Sequence, residues 1–204
     1  RRQTGGGAIL HDRELTYSLV LPPGHPLARQ NERLYQIVHE VFVRSLWPPA
    51  SQPGEPSHLH IRGEGITRPP TDEPFLCFQR RAKGDVVFVS ENSSESAANM
   101  SQNPSPAMDD WKIIGSAQRR YHGAVLQHGS LLIERSPSAP ELKGLRDLAG
   151  RSAAEDAVIS AVTSGLSSAL ALRLHPTKLP AELESIATRI ANNKYGTPAW
   201  TKRR

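Results

Sequence analysis

Cysteine, aromatic side chains and long apolar runs are all scarce in this sequence. It has one cysteine, Cys77, and Phe, Trp and Tyr together make up 5% of its 204 residues. One cysteine excludes an internal disulfide, so this thiol is either a small buried apolar group or a reactive one. No apolar run reaches the roughly 18 residues that a membrane-spanning helix needs, and no secretion signal is apparent. We therefore expect a cytoplasmic protein without a membrane partner.

Positive charge is in excess, with a formal net charge of +5 at pH 7. Such a surface attracts negatively charged partners over long range, whether they are nucleic acids or acidic proteins. The lysines and arginines are spread along the chain without interleaved aromatic residues, and this spread is not typical of a nucleic-acid surface. We expect no nucleic-acid partner, and two interpretations remain: acidic protein partners, or a solvated basic surface without a partner.

Apolar periodicity predicts an α+β fold in which most strands precede the last helices. An amphipathic helix is predicted over residues 27–46, a second helix after the capping-box spacing of Ser152 and Glu155, and a last helix after Pro180. β-rich runs are predicted at residues 8–11, 16–21, 58–62, 75–78, 85–89, 112–118 and 124–133. The first two and the last two of these runs are predicted to form hairpins. We expect a mixed or antiparallel sheet packed against covering helices.

The chain length fits a single domain over residues 1–204. A polar tract at residues 90–110 is too poor in apolar side chains to order itself and is predicted to be a disordered insertion. The sequence also begins without methionine and inside a glycine-rich motif. We therefore expect the N-terminal part of the domain to be missing.

Three sequence strings carry the candidate chemistry. Glycines in the first allow the main chain to approach a ligand closely and to present N–H groups to it. The same string lacks the dinucleotide fingerprint and the Lys-Ser/Thr pair of a P-loop, so neither nucleotide-binding fold is supported. The strings are Arg1-Arg2-Gln3-Thr4-Gly5-Gly6-Gly7-Ala8-Ile9-Leu10-His11-Asp12, Lys112-Ile113-Ile114-Gly115-Ser116-Ala117-Gln118 and Leu126-Gln127-His128-Gly129-Ser130.

In their order along the chain and in their residues, these strings resemble those of the lipoate-protein ligase and octanoyltransferase family. The resemblance implies the class II synthetase-like catalytic fold that this family shares with biotin protein ligases. It also implies that Lys112 contacts the acyl carbonyl and that Cys77 is the second catalytic residue. The substrate-binding candidates that it implies are Arg2, Gly5, Gly6, Gly7, His11, Gly115, Ser116, Gln127, His128 and Gly129.

Two branches of the family differ in chemistry. Ligases make a lipoyl adenylate from ATP with Mg²⁺, and they tend to carry other residues at Cys77-Phe78 and at Gln127 to Ser130. Cys77-Phe78, residues 14–18 and residues 126–130 look like the cysteine-dependent octanoyltransferases, which need no cofactor. The resemblance then implies octanoyl-acyl carrier protein as donor and a lipoyl domain as acceptor, either glycine cleavage H protein or the E2 subunit of a 2-oxoacid dehydrogenase. The ATP-dependent ligase is the alternative, and an inactive binding module for lipoyl-type domains is the second alternative.

The residues support this chemistry independently of the resemblance. A thioester exchanges readily onto another thiol, and nearby cations favour the reactive thiolate of a cysteine such as Cys77. Lys112 precedes an apolar strand that carries it into the interior, where a lysine can act in catalysis. His11 and His128 show no partner carboxylate in the sequence. His58 and His60 lack further ligands nearby, so we expect no metal site.

Overall fold

The computed structural model describes residues 7–47, 58–63, 74–89, 110–150 and 154–202. The chain forms two compact units, and the boundary between them lies between Leu172 and Arg173. The larger unit contains the sheet and the core, and the smaller one contains the last helices. The predicted insertion at residues 90–110 lies outside the described residues except for Asp110, which opens a strand.

The larger unit is built on an antiparallel sheet, so the predicted α+β fold is confirmed. Its described strands follow the spatial order β1-β5-β4-β3-β2, and every neighbouring pair is antiparallel. Long β4 lies at the centre, where both of its edges are paired. The strands are β1 (Glu14–Leu21), β2 (Leu59–Ile61), β3 (Val86–Val89), β4 (Asp110–Tyr121) and β5 (Ala124–Leu132).

The hairpin of β4 and β5 is confirmed and is longer than predicted. Its two-residue turn consists of His122 and Gly123, with φ angles of 47° and 83°. Positive φ at both positions matches the right-handed twist of the paired strands, and glycine adopts it without steric cost. The turn therefore fixes the register that aligns the two candidate strings on β4 and β5.

The helices of the larger unit pack against the sheet through apolar residues. The predicted helix over residues 27–46 divides into a 3₁₀ turn, Pro26–Arg29, and the helix α1. In the smaller unit α4 leads into a π-helical turn, Ala191–Tyr195, and no residue of α4 is buried. The helices are α1 (Asn31–Leu46), α2 (Leu145–Ala149), α3 (Glu155–Ala169), α4 (Ala181–Ile190) and α5 (Pro198–Thr201).

A single apolar cluster joins the sheet to α1, α2 and α3. Leu34 and Val38 of α1 are fully buried in this cluster, which also contains Ile114 of β4 and Val158 of α3. At 25 cal/mol per Å², burial of aliphatic side chains of this size contributes roughly 2 kcal/mol each. The cluster holds α1 against β4, which carries most of the candidate site. None of the described helices combines the length and apolar character needed to cross a membrane.

Three local predictions were wrong. Ala8 forms an isolated parallel bridge with Leu76 rather than a hairpin with β1. Residues 75–78 are not a strand, because the chain turns into a 3₁₀ helix at Cys77. Helix α3 begins at Glu155 with Ala154 as its N-cap, so the capping box predicted from Ser152, which lies outside the described residues, does not set its start. In the first two cases the short apolar run was overruled by the tertiary contact of Ala8 with Leu76 and Cys77.

The close approach of α1 and α3 depends on Gly165. A Cβ at this position would lie 2.7 Å from Cγ1 of Val41 and 3.3 Å from Oγ of Ser45. Gly165→Ala gains about 1 kcal/mol in helix propensity, but the overlap costs about 1–3 kcal/mol, so we expect net destabilisation of about 1 kcal/mol. The measurement is urea denaturation. In a Val41→Ala background the same substitution should instead be neutral or stabilising, and equal effects in both backgrounds would contradict this packing.

Candidate active site

A β-bulge directs Lys112 into the site. Lys112 and Ile114 pair with consecutive residues of β3, which leaves Ile113 as an extra residue in β4. In a regular strand Lys112 and Gly115 would point to opposite faces. With the bulge, an ideal Cβ on Gly115 would lie 2.5 Å from Cε and 2.9 Å from Nζ of Lys112. The extra residue therefore turns the lysine onto the face of Gly115, and the missing side chain of Gly115 leaves room for it.

The ammonium of Lys112 is buried and paired with a carboxylate. Lys112 is 6% exposed and Asp85 2% exposed, and Nζ lies 2.9 Å from Oδ2 of Asp85. The amide of Ala82 donates to the same oxygen at 2.8 Å. Burial raises the pKa of the Asp85 carboxyl, while the charge of Lys112 and these hydrogen bonds act in the opposite direction. An ammonium has three donors, so pairing with Asp85 leaves Lys112 able to donate to a substrate oxygen.

Cys77 lies against the glycine-rich segment and next to a contact of Lys112. It opens a 3₁₀ helix, is half-buried, and its amide donates to the carbonyl of Ala8 at 2.7 Å. A Cβ on Gly7 would lie 3.1 Å from the amide nitrogen of Cys77, so glycine permits this approach. The next residue, Phe78, is buried, and its ring centroid lies 5.6 Å from Nζ of Lys112. Phe78 therefore connects the cysteine to the lysine.

A chain of hydrogen bonds runs behind this site, between the sheet and α1. Nδ1 of His39 lies 2.6 Å from the carbonyl oxygen of Gly84, and its Nε2 lies 2.6 Å from Oγ of Ser116. The hydroxyl of Tyr17 lies 2.5 Å from the same Oγ. Nε2 of Gln127 donates to the Tyr17 hydroxyl at 2.9 Å. These bonds link α1 to β1, to β4, to β5 and to the loop before β3.

The protonation of His39 sets the direction of this chain. Burial lowers the pKa of His39 to about 4. The charge of Lys112 also lowers this pKa, whereas the hydrogen bond to the Gly84 carbonyl raises it. The ring is therefore neutral at pH 7. A carbonyl only accepts, so Nδ1–H donates to Gly84 and Nε2 accepts from the Ser116 hydroxyl. Oγ of Ser116 then accepts from Tyr17, whose pKa is raised by burial. All four groups are satisfied in one arrangement.

The first string is only partly within the described residues. Arg2, Gly5 and Gly6 lie outside them, so their predicted role in acyl binding stays a prediction. His11 is exposed, and its Nδ1 lies 2.5 Å from Oε1 of Glu14. The sequence showed no carboxylate partner for this histidine, and the structure provides one three residues along the chain.

The third string places its residues on both faces of β5. Gln127 is fully buried, and its Oε1 accepts from Gln118 at 2.7 Å, so both ends of its amide are engaged within the protein. A Cβ on Gly129 would lie 2.5 Å from Oγ of Ser116, so glycine is required where β5 passes β4. His128 is half-buried and points to the opposite face from Gln127. The substrate-binding roles assigned to these residues stay predictions.

Sequence reasoning missed Asp85, His39 and Tyr17. His39 gave a weak signal, because it lies on the buried stripe of α1 that also holds Leu34 and Val38. A histidine on an apolar stripe requires partners for both nitrogens. Asp85 precedes an apolar strand and shows no pattern that separates it from an ordinary turn residue. Its pairing with Lys112 spans 27 positions of sequence and depends on the bulge.

Acid will destabilise the protein through His39. Because its pKa is about 4 in the folded state and about 6.5 when unfolded, only the unfolded chain takes up this proton as the pH falls below 6.5. The free energy of unfolding will therefore fall toward pH 4, by at most about 1.4 kcal/mol per pH unit from this group. Urea denaturation between pH 7 and pH 4.5 measures the slope. For His39→Gln the free energy of unfolding should fall less steeply with pH, by the uptake of about one proton. Identical slopes for the two proteins would exclude His39 as the source.

Removal of the ammonium will leave a buried carboxylate unpaired. We expect Lys112→Met to lower the free energy of unfolding by about 3–5 kcal/mol, because Asp85 then loses the charge with which it pairs directly. Asp85→Asn combined with Lys112→Met should recover much of this loss. Urea denaturation measures both, and Lys178→Met, at an exposed position, is a control that should change stability by less than about 0.5 kcal/mol. A double variant no more stable than Lys112→Met would contradict the buried pair.

Known structures share this fold. A putative lipoate protein ligase from Thermoplasma acidophilum with bound lipoic acid superposes with a TM-score of 0.59 and 21% identity, covering 98% of this chain and 70% of that one. A lipoate-protein ligase A bound with ATP gives a TM-score of 0.60 at 21% identity, again with 98% and 70% coverage. At this identity the likeness establishes the fold.

Curated relatives are similar in sequence over the whole chain. An octanoyltransferase LipM of Kyrpidia tusciae is 30% identical over 100% of this chain and 74% of its own length. The LipM of Macrococcus caseolyticus is 27% identical over the same shares of each chain. Residues 1–165 match the family described as the lipoyl protein ligase A/B catalytic domain. The chain belongs to this lipoyl protein ligase A/B catalytic domain family.

Proposed function

We propose that this protein is an octanoyltransferase of protein lipoylation that works through a thioester on Cys77. Relatives named octanoyltransferases match the whole chain, and this supports octanoyl transfer over lipoate ligation. The structural observation that carries the proposal is the arrangement of Cys77 beside Gly7, with Phe78 reaching from the cysteine to the buried Lys112. The sequence neighbour of the proposed nucleophile thus contacts the proposed catalytic cation.

The first transfer is a thioester exchange. The thiolate of Cys77 attacks the carbonyl carbon of the octanoyl thioester on acyl carrier protein, and a carbon–sulfur bond forms. The bond to the carrier sulfur breaks, and the carrier leaves as a thiol after gaining the proton that Cys77 lost. One thioester replaces another, so no ATP is consumed.

The second transfer forms an amide. The neutral amine of a lysine on the lipoyl domain attacks the Cys77 thioester, and a carbon–nitrogen bond forms while the carbon–sulfur bond breaks. Cys77 leaves as a thiolate, and the proton that the nitrogen loses regenerates its thiol, so the enzyme returns to its starting state. The amide is more stable than the thioester, which drives the reaction toward octanoylated lipoyl domain.

Lys112 supplies the electrostatic help in both steps. Its ammonium donates to the carbonyl oxygen on which negative charge develops, and this interaction strengthens in a buried site. We assign this role to Lys112 rather than to the amide of Ser116, which donates to the hydroxyl of Tyr35 at 3.4 Å. Gly115 contributes by leaving the space that the lysine side chain occupies.

Partners and location follow from the same chemistry. The donor is octanoyl-acyl carrier protein and the acceptor is a lipoyl domain of H protein or E2 type, and the net charge of +5 favours encounter with acidic carriers. We place the protein in the cytoplasm, where thiols such as Cys77 stay reduced. Burial of the octanoyl tail contributes about 0.8 kcal/mol per methylene, so shorter acyl chains should be poorer donors.

An acyl-enzyme on Cys77 is the expected intermediate. After incubation with octanoyl-acyl carrier protein, intact mass should increase by one octanoyl group, and peptide mapping should place it on Cys77. Neutral hydroxylamine should remove it, because the link is a thioester. Cys77→Ala should form no adduct and should lower octanoylation of a lipoyl domain by at least about a thousandfold. Cys77→Ala with full activity would rule the thioester route out.

The donor assay separates the alternatives. We expect octanoylation from octanoyl-acyl carrier protein without ATP, and none from octanoate with ATP and Mg²⁺. Product formed only with ATP would identify a ligase. Binding of the lipoyl domain without turnover of either donor would identify a binding module, provided that circular dichroism shows the protein to be folded.

A further inference from the structure

His39 is a fully buried polar residue that the two transfer steps do not use. Both of its ring nitrogens are engaged, one with the Gly84 carbonyl and one with the Ser116 hydroxyl, each at 2.6 Å. A buried histidine with two short bonds to separate segments constrains the distance between them, because its ring contains no rotatable bond.

The two segments that His39 joins are those that hold Lys112. Gly84 directly precedes Asp85, whose Oδ2 lies 2.9 Å from Nζ of Lys112. Ser116 directly follows Gly115, over which Cε and Nζ of Lys112 lie. Each hydrogen bond of His39 therefore ends one residue away from a group that sets the position of the ammonium.

The bulge lies next to this connection. Between β3 and β4 the pairing shifts by one residue at Lys112 and Ile114, so the regular ladder is interrupted where Asp85 and Gly115 must be held together. His39 bridges that interruption from α1. The Tyr17 hydroxyl, 2.5 Å from Oγ of Ser116, holds the serine from the side of β1.

We propose that His39 is a positioning residue, which holds the Asp85 loop against Ser116 and so places the Lys112 ammonium where it meets the acyl carbonyl. The inference rests on the proposed function of Lys112. It differs from a packing role, because packing depends on the volume of the side chain, whereas positioning depends on its two hydrogen bonds. The two roles therefore respond differently to substitutions that remove one bond at a time.

His39→Asn and Ser116→Ala test one bond from its two ends. Asparagine retains a donor near the place of Nδ1 for Gly84 and loses the acceptor for Ser116, and alanine removes the hydroxyl. We expect each variant to lower kcat of octanoyl transfer by roughly tenfold to a hundredfold, with KM for octanoyl-acyl carrier protein within about twofold, because a misplaced cation affects the transition state. The double variant should lose no more than the worse single variant, because one bond is removed twice. If the losses of kcat in the two single variants multiply in the double variant, the proposal is overturned. An unchanged kcat in a folded His39→Asn variant would also overturn it.

His39→Gln provides the matched partial rescue. Its amide oxygen reaches the place of Nε2 and can accept from Ser116, so kcat should lie above that of His39→Leu, which lacks both bonds at similar volume. Equal kcat values for His39→Gln and His39→Leu would show that His39 has a packing role alone.

A second readout does not require activity. The ¹⁵N NMR signal of the Lys112 ammonium, assigned with Lys112→Met, should exchange with water at least tenfold faster in His39→Asn than in the unmodified protein. If this holds but no octanoyl transfer is seen in the unmodified protein, the positioning stands and the proposed function fails. If transfer is seen but neither kcat nor ammonium exchange changes in His39→Asn, the positioning fails and the function stands.

Discussion

The ion pair between the Lys112 ammonium and the Asp85 carboxylate is the constraint around which the centre of the sheet is arranged. Two charges that are almost fully removed from water are tolerated only when they meet directly and their remaining hydrogen-bonding capacity is used. The bulge in β4 turns the lysine toward the pair, and Gly115 leaves the space for its side chain. The ring of Phe78, the residue after Cys77, lies 5.6 Å from the Lys112 ammonium.

Much of the fold follows from local pattern. The stripe of α1 and the hairpin of β4 and β5 were predictable because each is encoded within fewer than 25 residues, by period and by turn residues. The short segments around Ala8 and Cys77 were not, because an apolar run of four residues fits a strand or a turn equally well. Their conformation is decided by the contact of each with the other, 69 positions apart.

The candidate site, like the fold, could be predicted only in part from the sequence. The strings containing Gly7, Lys112 and Gly129 could be recognised from their residues, and the structure shows why glycine is needed at two of these positions. Asp85 and His39 could not be recognised, since their meaning lies in partners that only the folded chain supplies. Candidate reactive groups could thus be proposed from the sequence, whereas the groups that contact them became visible only in the structure.

The last pair of the ladder between β3 and β4 joins Val89 to Asp110, and Asp110 is held in addition by the side chains of Arg62 and Arg81. The twenty intervening residues therefore leave and rejoin the sheet at a single rung. Asp110 is thus anchored by a backbone pair and by two guanidinium groups at the same rung, so the loss of either arginine alone leaves this end of β4 held. The rung holds one end of the strand alignment on which the position of Lys112 depends.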